Sequence, residues 1–164
     1  MVKARLARPS DEDAFVRGAM GNALETEGLR LDGAVVRSAV RKLLADPGRG
    51  LCFVAEGGGA AIATAYVTFE WSDWHDAWYW WIQSLYVLPG RRGQGVYTAL
   101  YRFIQEEARR RGGVRSIRLY VERGNEKGLR AYRGHGMAEA PYLVFEQALG
   151  PVSPPQAPSH QAPL

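Results

Sequence analysis

The sequence predicts a mixed α/β domain in which helices flank one largely antiparallel central sheet. Apolar residues recur with a period of two in six short segments, and with a period near 3.6 in most of the segments between them. A glycine-rich loop joins one of these strands to a helix and a further strand, which is typical of a βαβ-like unit. The 164 residues, 46% hydrophobic and 23% charged, suffice for one folded core.

The first half of the chain predicts two helices and three strands. Residues 2–7 alternate apolar with basic side chains and predict a strand with one solvated face. Residues 9–22 predict a helix, because acidic residues stand in the first turn and the apolar residues that follow share one side. Apolar residues at 35–44 recur at helical spacing and predict a second helix, which ends at Asp46-Pro47-Gly48. Residues 51–56 and 60–69 alternate on either side of three glycines, which predicts a hairpin.

The second half continues the series and ends in a tail. Strands are predicted at 77–87 and 114–121, helices at about 94–110 and 125–133, and a last strand at 137–148, interrupted early by Pro141. Residues 1–149 form the predicted domain. Residues 150–164 hold five of the nine prolines and no apolar periodicity, so this tail is expected to be flexible.

Composition excludes several classes of protein. The net charge of +4 favours anionic partners, but the aromatic residues are not interleaved with Lys or Arg, so we expect no nucleic-acid partner. The single cysteine, Cys52, excludes an intrachain disulfide, and three separated histidines predict no metal site. No apolar run of about 18 residues and no signal sequence is present, so we expect a cytoplasmic protein without a membrane span.

The loop at 88–95 carries the chemical information. A strand delivers Gly93 and Gly95, beside Arg91 and Arg92, to the start of a helix. Unpaired N–H groups and the helix dipole bind anions there, so a phosphate or pyrophosphate is the expected ligand. The loop lacks the Lys and Ser or Thr of a nucleoside-triphosphatase, and Thr98 replaces the third glycine of a dinucleotide fingerprint.

Two motifs in this region resemble those of the GNAT superfamily of acyl-CoA-dependent N-acetyltransferases. Residues 92–97, Arg-Gly-Gln-Gly-Val-Tyr, resemble its pyrophosphate loop, Gln/Arg-x-x-Gly-x-Gly/Ala, and depart from it at the sixth position, where Tyr97 replaces a small residue. The second signature is an asparagine early in the next helix and a tyrosine near its end, followed by a glycine and an apolar residue. It is matched by Asn125, Tyr132 and Gly136-Met137.

The resemblance implies acetyl-CoA as co-substrate and assigns residues to it. Backbone groups of Leu85 and Val87 would pair with the pantetheine arm, and Asn125 would contact the same arm. Arg91 and Arg92 would hold the pyrophosphate together with the N–H groups of Gly93, Gln94, Gly95, Val96 and Tyr97. Tyr132 would give a proton to the departing sulfur, because a phenol with an ordinary pKa near 10 stays protonated at neutral pH.

The resemblance also implies an acceptor: a primary amine of a small molecule or peptide, which attacks the thioester directly. Many relatives carry a glutamate where this chain has Gln83, so two routes stay open. Either the amine arrives partly deprotonated, or water relays its proton to Glu70, Asp73, His75 or Glu122. Glu70, Gln83 and Tyr142 are the expected acceptor-side residues. Acidic residues on that side favour a cationic amine: Glu25, Glu27, Glu70, Asp73 and Asp76.

Two further alternatives follow from the same residues. The glutamine at position 83 and the bulky Tyr97 leave open a non-catalytic domain that binds acyl-CoA as a sensor or scaffold. Retention of Tyr132 favours the enzyme. A homodimer is also left open, because a partner subunit could cover the tryptophan-rich strand at 77–87.

Overall fold

A computed structural model describes residues 2–150. Within this range the chain forms five strands and four helices, with short 3₁₀ turns at Pro9–Asp11 and Pro89–Arg91. The elements in chain order are β1 (Lys3–Leu6), α1 (Glu12–Glu27), α2 (Gly33–Ala45), β2 (Leu51–Gly57), β3 (Ala60–Ser72), β4 (Ala77–Val87), α3 (Val96–Arg111), β5 (Val114–Leu119) and α4 (Glu126–Gly134).

The strands form one sheet in the order β1-β2-β3-β4-β5. The first three pairs are antiparallel, because short connections join β2 to β3 and β3 to β4, whereas β1 returns through two helices. β5 is parallel to β4, since α3 carries the chain back along the sheet before β5 begins. The predicted fold class, a mixed and largely antiparallel sheet flanked by helices, is confirmed.

Helices cover both faces of the sheet. On one face α3 packs Leu100 and Ile104, both fully buried, against a cluster that includes Phe53 of β2. On the other face α1 and α2 pack against the alternate residues of β2, among them Cys52. Because strand side chains alternate between faces, the unbroken apolar run of β2 supplies both layers. Burial raises the pKa of the Cys52 thiol to about 12.

α1 is longer than its sequence predicts. It continues to Glu27 and ends at Gly28, whose φ of 67° is the left-handed conformation that commonly closes helices. The backbone N–H of Gly28 bonds to the carbonyl of Leu24 at 3.2 Å. The additional turn carries Thr26 and Glu27 to the edge of the sheet beside β4.

β4 separates from β5 halfway along its length. The pairing of β4 with β5 ends at Ile82 and Leu119, whereas its pairing with β3 continues to Val87. A β-bulge stands at the same point, because Ile82 and Ser84 face consecutive residues of β3 and Gln83 is the extra residue. Among the described residues, the outer side of β4 after Gln83 therefore has no neighbouring strand.

The prediction of a last strand at 137–148 is wrong. Residues 138–149 are assigned to no strand or helix, and no backbone hydrogen bond joins them to the rest of the described chain. The alternation of apolar side chains there is real, but a strand exists only where a second strand accepts its hydrogen bonds. The tail at 150–164 lies outside the described residues, apart from Gly150.

The described residues contain neither a membrane-spanning helix nor a cluster of metal ligands. No helix in this part of the chain is long and apolar enough to cross a membrane. No group of three or more His, Cys, Asp or Glu side chains within residues 2–150 is placed to hold a metal ion.

Candidate active site

A cleft of about 320 Å³ lies where β4 separates from β5. The end of α1 and the β5–α4 loop form its two sides, while α3 and α4 contribute one tyrosine each. Its lining contains two carboxylates and no Lys or Arg, so it favours a cationic group. The lining residues are Asn22, Thr26, Glu27, Ile82, Gln83, Ser84, Leu85, Tyr97, Leu119, Tyr120, Val121, Glu122, Asn125 and Tyr132.

The loop after β4 has the geometry of an anion site. Gly93 and Gly95 have φ values of 74° and 73°, a left-handed conformation that glycine adopts without strain. A Cβ at either position would meet no atom within 4 Å, so the backbone is open to a ligand. Gly95 caps α3 without any side-chain hydrogen bond, and the first turn holds no acidic residue. The first N–H groups of α3 are therefore available to an anion.

Arg92 is fixed by contacts that its sequence position does not reveal. Its Nε donates to the carbonyl of Val87 at 2.9 Å, and a terminal nitrogen pairs with Glu25 at 2.7 Å. Glu25 also accepts a 2.7 Å hydrogen bond from Tyr86, and that bond, followed by the contact with Arg92, lowers the pKa of the Glu25 carboxyl. Glu25 thus ties the end of α1 to the loop instead of facing an acceptor. Arg91 is exposed and pairs with no carboxylate among residues 2–150.

Tyr132 lies in the cleft in a form suited to donating a proton. It is half-buried on α4, and burial raises the pKa of its hydroxyl above the ordinary value. The phenol is therefore protonated at neutral pH. The Tyr132 ring centroid lies 6.2 Å from that of Tyr97 on α3.

Tyr97 departs from the family motif, and its ring packs inside the fold. It contacts His135 edge-on, with 4.9 Å between centroids, and stacks on Tyr101 at 5.9 Å. Its Oη is buried and has no hydrogen-bond partner among residues 2–150. A buried donor without a partner is costly, so this hydroxyl lowers the stability of the packing around Tyr97.

Of the remaining residues expected to bind the cofactor arm, Leu85 and Asn125 line the cleft and Val87 does not. Leu85 lines the cleft on the unpaired side of β4, whereas the carbonyl of Val87 already accepts from Arg92. Asn125 also lines the cleft, and its Oδ1 caps α4 by accepting from the N–H of Gly128 at 2.9 Å. The Asn125 side chain therefore stabilises the start of α4, whether or not it contacts a ligand.

The expected acceptor-side residues are only partly brought together. Gln83 lines the cleft and donates to Thr68 at 2.8 Å. Glu70 lies outside it, where it accepts from Trp81 and pairs with Arg118. Tyr142, also outside the cleft, is 71% exposed.

Of the four candidates for the base, only Glu122 lines the cleft. Asp73 and His75 lie in the turn between β3 and β4, where the His75 ring contacts Ser72 and Tyr79. Glu27, at the end of α1, is a second carboxylate of the lining. The end of α1 that carries it extends past the predicted helix boundary.

The chain is similar to known acetyltransferases in sequence and in fold. The family model described as "Acetyltransferase (GNAT) family" matches residues 23–137. The crystal structure of a possible acetyltransferase from Clostridium difficile 630 has a TM-score of 0.85 and 32% sequence identity, covering 91% of this chain and 98% of that one. No curated protein matches the chain.

Two more distant structures share the fold. The ribosomal-protein-alanine N-acetyltransferase from Brucella melitensis biovar Abortus 2308 has a TM-score of 0.74 at 18% identity, over 92% of this chain and 100% of that one. An aminoglycoside N-acetyltransferase in complex with CoA has a TM-score of 0.72 at 16% identity, over 92% and 96%.

Proposed function

Because this chain belongs to the GNAT family of acetyltransferases, we propose that it moves an acetyl group from acetyl-CoA to a primary amine. The amine belongs to a small molecule or a peptide and attacks the thioester directly. The observation that carries this proposal is that Leu85 on the unpaired side of β4, Tyr97 in the first turn of α3 and Tyr132 line one cleft, while the N-terminus of α3 is open.

The phosphate end of acetyl-CoA is held by the loop between β4 and α3. The N–H groups of residues 93–97 meet the pyrophosphate, supported by the exposed Arg91 and by Arg92, whose charge is shared with Glu25. This arrangement suits a doubly charged group, because the helix N-terminus and two guanidinium groups act on it together.

The pantetheine arm lies along β4 in this proposal. The unpaired side of β4 around Leu85 offers backbone groups to the amides of the arm, in the manner of an added strand. Asn125, which lines the same cleft, offers a polar contact to the arm. When bound, the cofactor supplies an acetyl thioester that a neutral amine can attack.

Tyr132 acts as the general acid and Glu122 as the general base. Tyr132 is protonated at neutral pH and donates to the sulfur as it departs. Glu122 attracts the cationic amine into the cleft and takes its proton, directly or through one water molecule. Glu27 adds a second negative charge to the lining, so a cationic amine is the favoured acceptor.

The role of Glu122 is tested by Glu122→Gln, which removes the charge and the basicity but keeps the size. We expect kcat/KM for a cationic amine to fall about 10–100-fold, while the Kd for acetyl-CoA stays within about threefold. Steady-state kinetics and calorimetry measure the two quantities. The matched control is Glu106→Gln, the same change at an exposed residue of α3 outside the cleft. Equal kinetics in the two variants would remove Glu122 from the mechanism.

The proposal as a whole is tested by calorimetric titration of the protein with acetyl-CoA, with ATP and NAD as controls. Micromolar binding selective for acetyl-CoA is the expected result. Release of free CoA in the presence of a panel of amines then separates the enzyme from a sensor or scaffold that binds the cofactor without turnover. Absence of acetyl-CoA binding would contradict both functions.

A further inference from the structure

The helix that carries Tyr132 is joined to the rest of the fold at few points. The hydrogen bonds of residues 122–137 mostly close turns within this segment, as in the cap of α4 by Asn125. Among residues 2–150, a single hydrogen bond joins the segment to another element, and it links the end of α4 to the first turn of α3. The position of Tyr132 therefore depends on how this end of the helix is held.

The side chain that makes this bond is His135, at the C-terminal end of α4. Its Nε2 lies 3.0 Å from the hydroxyl oxygen of Thr98, and its Nδ1 lies 2.8 Å from the carbonyl oxygen of Ala131, one turn back on the helix. A carbonyl only accepts, so Nδ1 carries a proton, and in the neutral ring Nε2 accepts from the Thr98 hydroxyl. Because both ring nitrogens are used, the tautomer and the orientation of the imidazole are fixed.

Aromatic packing supports the same contact between α3 and α4. The His135 ring packs edge-on against Tyr97, with 4.9 Å between centroids, and against the buried Tyr101, with 5.5 Å. The Tyr97 ring also lies near that of Tyr132, at 6.2 Å. A small residue at position 97, as in the family motif, would lack these contacts. The departure at Tyr97 therefore adds packing between the two helices where the hydrogen bond joins them.

We propose that His135 is a positioning residue for the general acid. Its bond to Thr98, supported by the Tyr97 ring, holds α4 against the first turn of α3 and so keeps Tyr132 in the cleft. The same turn presents the N–H groups that we assign to the pyrophosphate, so the acid is held relative to the cofactor. The catalytic part of this inference rests on the proposed function, whereas the attachment of α4 does not.

The first test is a pair of substitutions at Thr98. Thr98→Val removes the hydroxyl and keeps the branched shape, and we expect it to lower kcat about 10-fold while the Kd for acetyl-CoA stays within about threefold. Thr98→Ser, which keeps the hydroxyl, is expected to restore kcat. His135→Ala is expected to lower kcat at least as much as Thr98→Val, because it also removes the ring contacts. Steady-state kinetics and calorimetry measure these quantities.

A combination with Tyr132→Phe separates a positioning role from a general loss of structure. A residue that acts through the Tyr132 hydroxyl has no effect on turnover once that hydroxyl is removed. Adding Thr98→Val to Tyr132→Phe is therefore expected to change kcat by less than about twofold, although Thr98→Val alone lowers it about 10-fold. A further loss of about 10-fold in the double variant would overturn the positioning role.

Hydrogen exchange measures the attachment of α4 without the reaction. The N–H groups of residues 129–134 close the turns of this helix, and we expect them to exchange about 10-fold faster in Thr98→Val than in Thr98→Ser. Equal exchange in the two variants overturns the proposal, as does faster exchange with unchanged kcat when Tyr132→Phe lowers kcat. If Tyr132→Phe keeps its turnover, the general acid and its positioning both fail, and the exchange rates alone decide how α4 is held.

Discussion

Gly93→Asp is expected to raise the Kd for acetyl-CoA by about 100-fold or more. The carboxylate would stand among the N–H groups that we assign to the pyrophosphate, where its charge repels the ligand and its side chain fills the open space. Calorimetric titration measures the loss.

The control for this variant is Gly58→Asp in the β2–β3 turn. Gly58 and Gly93 have left-handed φ values of 64° and 74°, and a Cβ at either meets no atom within 4 Å. The two substitutions therefore impose comparable backbone strain, and only one lies in the proposed site. Equal affinity of both variants for acetyl-CoA would move the pyrophosphate away from this loop.

Tyr132→Phe is expected to lower kcat by about 100-fold or more and to leave the Kd for acetyl-CoA within about threefold. The phenylalanine keeps the ring that packs near Tyr97 and removes only the hydroxyl, so the effect falls on the step in which the sulfur departs. Single-turnover kinetics with saturating acetyl-CoA separates this step from binding.

The control for Tyr132 is Tyr66→Phe on β3. Tyr66 is also half-buried, and burial raises the pKa of its hydroxyl, but it packs against the core on the α1 and α2 face instead of the cleft. Its turnover is expected to stay near that of the wild type. Unchanged turnover in Tyr132→Phe would show that another group, or water, protonates the sulfur.

Much of the fold follows from hydrophobic periodicity. The strands at 51–69 and 77–87 were predictable because their alternation is strong and their connections are short turns. The strand predicted at 137–148 is not formed. Alternation indicates which side chains favour burial, but it does not indicate which strand would pair with the segment. Helix ends were less predictable, since α1 continues to Glu27 until a glycine closes it.

The candidate site was predictable only where its residues are close in sequence. The loop at 88–95 could be identified because its three glycines and two arginines lie within six residues of the sequence. The contact of Arg92 with Glu25 joins residues 67 positions apart, and no local pattern indicates it. The bulge at Gln83 depends on how β4 pairs with β3. Glu122 lies in the cleft and Glu70 does not, and this depends on where β5 ends.

The burial of Cys52 has a practical consequence for measuring the proposed reaction. The chain has no other cysteine, and with a pKa of about 12 only about one thiol in ten thousand is a thiolate at pH 8. A thiol-reactive dye added to the folded protein should therefore report released CoA with almost no background from the enzyme. The same property makes any cysteine introduced on the surface the single fast-reacting position for a spectroscopic label.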